Sequence, residues 1–304
     1  MKLEEIASGL RFPEGPIAMA DGSVVLVEIA RGTLSRVLPD GRVEVVAETG
    51  GGPNGAAIGP DGRVWVCNNG GFEWLEAGGL LLPGHQPDDY AGGSIQVVDL
   101  TTGAVETLYT ECDGQPLRGP NDIVFDEHGG FWFTDHGKAR PRERDRTGVF
   151  YAAADGSKIS EVMFPLEAPN GIALSPDGSR LYVAETPTGR VYAFDVSGPG
   201  EIARSPLGIN GGFPLYGAPP PRMFDSMAVD GGGFVCVATL VNGGITVIDP
   251  NDGSAEYIDM GDPLTTNICF GGEGLRTAFI TLSGTGRLVS AEWPRPGLGL
   301  AYSA

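Results

Sequence analysis

The segment NGIALSPDGSRLYVAET, residues 170–186, decides the fold. It opens on a polar side chain, runs into an apolar stretch, turns at Asp177-Gly178 and returns as a second apolar stretch. Asp-Gly between two apolar runs is a strong hairpin signal, because the turn needs positive φ. The unit recurs as EGPIAMADGSVVLVE (14–28), NGAAIGPDGRVWVCN (54–68), NDIVFDEHGGFWFTD (121–135) and DSMAVDGGGFVCVATL (225–240), with a looser copy NICFGGEGLRTAFITL (267–282). In five copies a glycine lies eight residues after the polar residue; the sixth misses by one, at Gly274.

Each unit continues into further alternating segments, such as LSRVLPDGRVEVVAE (34–48) and ITVIDPNDGSAEYIDM (245–260). About four short strands per repeat describe a propeller blade. Six copies predict an all-β fold, a six-bladed β-propeller with a central metal-binding channel, as one domain over residues 1–304. Glu4 to Leu10 is expected to supply the outer strand of the last blade.

Composition narrows the function. The 304 residues carry a formal charge of −19, which opposes binding to phosphate backbones and anionic membranes. Neither nucleic acid nor membrane is expected as a partner, and the oligomeric state cannot be read. The four cysteines form no CxxC pair, so thiolate zinc is not expected. Residues 1–10 lack the apolar core of a secretory signal, and no stretch has the length of a membrane span. The expected compartment is the cytoplasm.

In-phase repeats bring the opening residues to one height around the channel: Glu14, Asn54, Asn121, Asn170, Asp225 and Asn267. Two carboxylates and four amides form an oxygen-donor set for a hard divalent cation. Calcium comes first, with manganese, zinc, iron and magnesium as alternatives. Asn or Asp before a strand also makes simple Asx turns. That reading does not explain why Glu14 and Asp225 replace Asn in register, or why Pro13 and Pro16 stiffen the backbone around Glu14.

FPEGP (12–16), GPND (119–122), PNGIALSPDG (169–178) and TNICFGG (266–272) resemble the senescence marker protein/gluconolactonase (regucalcin) family over nearly the whole chain. The resemblance implies a six-bladed propeller, one divalent metal ion and lactonase activity, with Glu14, Asn121, Asn170 and Asp225 as metal ligands. Asp225-Ser226 is similar to the drug-responsive lactonase branch, where the serine can join the metal shell. Sugar-lactonase members often carry an arginine where this chain has Gly119, with Arg118 one position out of register. That departure argues against an aldonolactone.

The resulting expectation is a metal-dependent hydrolase that opens a small-molecule lactone. Asp225 and Asn121 are the catalytic candidates: Asp225 activates water, while Asn121 completes the metal shell and orients substrate or water. Asn54, Arg118, His136, Asn267, Phe72 and Tyr216 are candidates for contacting substrate. His136 is read either as a proton relay or as a structural hydrogen-bonder. The alternatives are an organophosphate or phosphoester hydrolase at the same site, and a non-catalytic calcium-binding propeller. No GxSxG or GxxxxGK[ST] string occurs, so serine-hydrolase and phosphate-loop chemistry lack support.

Three insertions interrupt the repeat: 70–93, containing Phe72 and Trp74; 208–224, containing Phe213 and Tyr216; and the basic stretch 136–146. They are either walls and lids of a pocket or plain surface loops.

Overall fold

The computed structural model describes residues 1–206, 208 and 210–303. Four-stranded antiparallel sheets, built from neighbouring strands, repeat around the chain. Blade 1 comprises Pro13–Ala18, Val24–Glu28, Thr33–Val37 and Val43–Glu48. Blade 2 comprises Pro53–Ile58, Val64–Asn68, Ser94–Val98 and Val105–Tyr109. Blade 3 comprises Pro120–Phe125, Gly130–Asp135, Thr147–Ala153 and Ile159–Leu166. Blade 4 comprises Pro169–Leu174, Arg180–Glu185, Arg190–Gly198 and Glu201–Ala203. Blade 5 comprises Met223–Val229, Val235–Leu240, Gly244–Ile248 and Ala255–Asp259. Blade 6 comprises Thr265–Gly271, Thr277–Leu282, Arg287–Glu292 and, from the start of the chain, Glu4–Ala7. The fold is the six-bladed β-propeller that the repeat predicts.

The second strand of each blade reads as a near-continuous apolar run because both of its faces are covered. Val25 and Val27 pack toward blade 2 with Val64 and Val66, while Val24 and Leu26 pack toward blade 6 with Phe279 and Leu288. The same two-residue alternation builds an apolar cluster between blades 2 and 3, 3 and 4, 4 and 5, and 5 and 6. Every blade-to-blade seam therefore has its own core, and the ring is closed. Outer strands are wetter, as in Val43–Glu48, where Val43 and Val45 are exposed.

The six turn glycines, Gly22, Gly62, Gly129, Gly178, Gly233 and Gly274, all have positive φ, from +61° to +84°. Cys67, Cys112 and Cys236 are buried and free; Cys269 is half-buried and free. Among the described residues no helix is long and apolar enough to cross a membrane.

The insertions take different forms. Residues 70–93 carry a hairpin, Trp74–Ala77 with Leu80–Pro83. Leu81 buries against Phe12 and Ile29 of the blade 1 approach, and its N–H donates to Gly284 O of blade 6. On the other side, Gln86 N–H donates to Ala139 O and Tyr90 Oη to Arg118 O, both beside blade 3. The segment thus forms a canopy tied to blades 6, 1 and 3. Within 208–224, Phe213–Gly217 pairs with the third strand of blade 4 as an additional edge strand.

Candidate active site

Four innermost strands open with a local irregularity at the polar residue, and in blade 1 the slip falls just after Glu14, on Gly15 and Pro16. In blade 3, Pro120 faces Asp135 and Ile123 faces Phe133, so Asn121 and Asp122 together oppose Thr134. The same two-against-one count holds Asn54-Gly55, Asn170-Gly171 and Asp225-Ser226. Such a bulge bends the strand and re-aims one side chain. In blade 6 the slip falls on Thr266, and Asn267 stands opposite Thr281.

Close approach of the blades explains the glycine after the polar residue. A Cβ on Gly15 would lie 2.6 Å from Asn54 O, and one on Gly171 2.7 Å from Asp225 O. Gly55 meets Asn121 O in the same way. Each glycine therefore lets its strand touch the ring residue of the next blade.

The ring is buried and acidic. Glu14 is 2% exposed and Asn54, Asn121, Asn170 and Asn267 no more than 5%, while Asp225 keeps a half-buried face. Burial pushes the Glu14 carboxyl up to about 7, against hydrogen bonds from Asn267, Gly15 and Thr266 that pull it down. Burial, then the charge of Glu14, raises Asp225 well above the ordinary carboxylate range. The same two causes bring Asp122 to about 7. Three carboxylates thus feel one another with no Lys or Arg among the groups that shift Glu14, Asp122 or Asp225.

The amides are held unequally. Asn170 Nδ2 donates to Thr186 Oγ1 at 3.1 Å, and its Oδ1 accepts from Ser226 Oγ at 3.4 Å. Asn267 Nδ2 donates to Glu14 Oε2 at 2.7 Å, while its Oδ1 accepts from Ile268 N–H. Asn267 therefore positions Glu14 and has its side chain committed inside the protein. Glu14 Oε2 also accepts Gly15 N–H, and neither of these bonds uses Oε1. Asn121 Oδ1 is buried with no hydrogen-bond partner among the described residues. A buried carbonyl oxygen without a donor costs about 1–3 kcal/mol. Together with carboxylates that repel one another, it makes a donor set that fits a hard cation.

The remaining candidates are dispersed. Asn54 lies in the ring of blade 2. Arg118 is exposed at the entrance to blade 3. His136 is half-buried: its N–H donates to Gly119 O, its Nε2 lies 3.5 Å from Arg144 Nη1, and its Nδ1 has no partner. Burial first, then Arg144 and Lys138, lower its pKa to about 3, so it is neutral at physiological pH. Phe72 belongs to the canopy and packs edge-on to Trp74 at 5.9 Å. Tyr216 packs against Phe224 at 6.1 Å, in the seam between blades 4 and 5.

Sequence reasoning passed over three residues. Asp122 replaces the glycine of the NG copies, and its Oδ2 accepts Ile172 N–H of blade 4. Asn69 is 2% exposed with Nδ2 unpartnered. Lys138 is 1% exposed, donates to Gly71 O and sits 4.2 Å from the Phe72 ring centroid, pinning the canopy. Burial lowers its pKa to about 7. The acid or amide that closes the second strand also has a uniform task. Glu28 accepts Arg11 N–H, Asn68 accepts Gly52 N–H, Asp135 accepts Arg118 and Gly119 N–H, and Glu185 accepts Glu167 N–H. In blades 1 to 4 these side chains tie down the loop that delivers the ring residue. The signal was present as the last acid or amide of four repeat copies.

Comparison with known proteins supplies the context. The model of the SMP-30/Gluconolactonase/LRE-like region matches residues 12–284. A gluconolactonase of Zymomonas mobilis is 28% identical, covering 92% of this chain and 79% of that protein. Lactonase drp35 of Staphylococcus saprophyticus is 31% identical, covering 81% and 69%. Among solved structures, a gluconolactonase of Xanthomonas campestris superposes with a TM-score of 0.74 at 24% identity, covering 96% and 89%. A calcium-binding protein of Agrobacterium tumefaciens, regucalcin, gives 0.72 at 18%, covering 96% and 95%.

Proposed function

The chain belongs to the SMP-30/Gluconolactonase/LRE-like family, and we propose that it is a lactonase that opens a small cyclic ester at one divalent cation held by Glu14, Asn121, Asn170 and Asp225. The observation that carries the reading is the buried Asn121 Oδ1 without a donor, in a ring where Glu14 and Asp225 repel each other. A divalent cation bound there would polarise the ester carbonyl and lower the pKa of nearby water.

The chain's own residues divide the remaining work. Asn267 and Gly15 N–H fix Glu14 by its Oε2. Thr186 holds the Asn170 amide so that its Oδ1, rather than its nitrogen, is on the Ser226 side. Asp225 receives a proton from water as the water oxygen bonds to the carbonyl carbon. The ring C–O bond then breaks, and the departing oxygen takes that proton back from Asp225 to become the hydroxyl of the product acid. The canopy walls the site on the side of blades 6, 1 and 3, and its Phe72–Trp74 pair packs onto the apolar cluster of Phe12, Ile29 and Leu81.

The test is proton release from a panel of lactones and a phosphotriester by chelator-stripped protein. Lactone opening restored by calcium, manganese, zinc, iron or magnesium is the expected result. Equal lactone turnover in excess chelator would remove the cation from the reading. Turnover of the phosphotriester alone would replace the substrate class.

A further inference from the structure

The basic stretch 136–146 stands apart in a chain of charge −19: Lys138, Arg140, Arg142, Arg144 and Arg146 are five of its 20 Lys and Arg residues. Three of the five are committed. Lys138 is buried on Gly71 O; Arg140 pairs with Asp145 at 2.5 Å and with Glu143 at 3.5 Å; Arg146 pairs with Glu167 at 2.7 Å. Arg142 and Arg144 are exposed, and among the described residues neither has a carboxylate within ion-pair distance; the same holds for Arg118. Asp145 lies in the field of Arg118 but is occupied by Arg140.

Arg144 and Arg118 adjoin the segment that leads into the ring. His136 N–H donates to Gly119 O at 2.8 Å, and Gly119 lies two residues before Asn121. Arg144 Nη1 is 3.5 Å from His136 Nε2, and Arg118 adjoins Gly119. Two buried polar atoms at the same ends of blades 2 and 3 lack partners: Asn69 Nδ2, on a residue 2% exposed, and His136 Nδ1. The sector is therefore donor-rich and cationic at its rim, while the ring below holds Glu14, Asp122 and Asp225. A neutral lactone uses only the ring. A lactone with an anionic substituent uses both poles, and guanidinium is the group best shaped to take a carboxylate.

Building on the lactonase reading, we propose that the substrate is a lactone bearing a carboxylate, received at the channel mouth by Arg144 and Arg118 while the ester reaches the ring. Asn69 Nδ2 adds a hydrogen-bond donor on the same side.

The experiment compares γ-butyrolactone with 5-oxotetrahydrofuran-2-carboxylate, using calcium-loaded protein at low ionic strength. The expected kcat/KM favours the carboxylate by about tenfold or more, with the preference shrinking in high salt. Arg144→Gln is expected to cut that preference about tenfold, chiefly through KM, and Arg144→Lys to retain part of it. A preference at or below one, or a preference unchanged in both Arg144→Gln and Arg118→Gln, overturns the proposal. If neither lactone is opened, the lactonase reading fails by itself, and the anion site is read by calorimetry with cyclopentanecarboxylate. Binding to the wild type that is lost in Arg144→Gln supports the site; no binding to the wild type overturns it.

Discussion

Asn267 Nδ2 donates to Glu14 Oε2 at 2.7 Å, joining two side chains 253 residues apart. The bond crosses the seam between the last blade and the first, where the chain meets itself. It fixes one carboxylate oxygen of Glu14 within the protein. Removing the amide by Asn267→Ala leaves that oxygen with fewer donors and lets the carboxylate swing. Partners of this kind are worth about 10–100-fold in metal affinity. Calcium titration calorimetry is expected to show a loss in that range.

Asp225 and Glu14 should separate by function. Asp225→Asn removes the proposed base, and kcat for lactone opening is expected to fall by about 10²–10⁴. Glu14→Gln removes one of the two ligand charges, so the calcium concentration needed for half-maximal activity should rise. Full turnover in Asp225→Asn, measured by pH-stat at saturating calcium, would eliminate it as the base.

Protons and a cation compete for the same carboxylates. Without a cation Glu14 and Asp122 rise to about 7, and Asp225 rises well above its ordinary value. Acids raised on folding bind more protons in the native state, so their contribution to stability falls as pH climbs from the unfolded values, 4.5 for Glu and 3.8 for Asp, through the folded ones. His136, lowered to about 3, acts in the opposite direction between about 3 and 6.5, with or without the cation. The difference between calcium-loaded and stripped protein isolates the carboxylates. The rise in Tm on adding calcium is expected to be larger at pH 7.5 than at pH 5.5; an equal rise would count against binding at the ring.

Gly55 gives a steric test with no charge involved. A Cβ there meets the Asn121 carbonyl and the Asp122 Cα. Gly55→Ala must push blade 3 aside, at a cost of about 1–3 kcal/mol, and should weaken calcium binding by displacing Asn121. Gly62→Ala, at a turn with no atom within 4 Å of the added carbon, carries only the penalty of its φ of +78°. Thermal melts and calcium titrations of the two variants should therefore diverge in the calcium result.

The blade count and the ring positions were legible because each repeat carries a polar residue, a turn glycine and two apolar runs in a fixed phase. Asn121 and Asn170 could be placed to the residue from that phase alone. Thr266 could not, since the bulge in blade 6 is offset and only pairing reveals it. Asp122 was hidden for the opposite reason. It occupies a position that is glycine in neighbouring copies, and its importance arises from the approach of blade 4, which supplies Ile172 N–H. The canopy was visible as an insertion. Its seating was not, because Leu81 reaches Phe12 and Ile29 through contacts between distant parts of the chain.

The strand Glu4–Ala7 precedes every other strand of the propeller, yet it pairs with Arg287–Glu292, which follows them all. Until the ribosome has released that final hairpin, the nascent chain is an open arc. The apolar flanks of blades 1 and 6, including Val24, Leu26 and Phe279, are then bare to water. Such a surface invites association with other chains. Ring closure thus waits for the hairpin that follows five completed blades, and the two flanks it seals stay open until then.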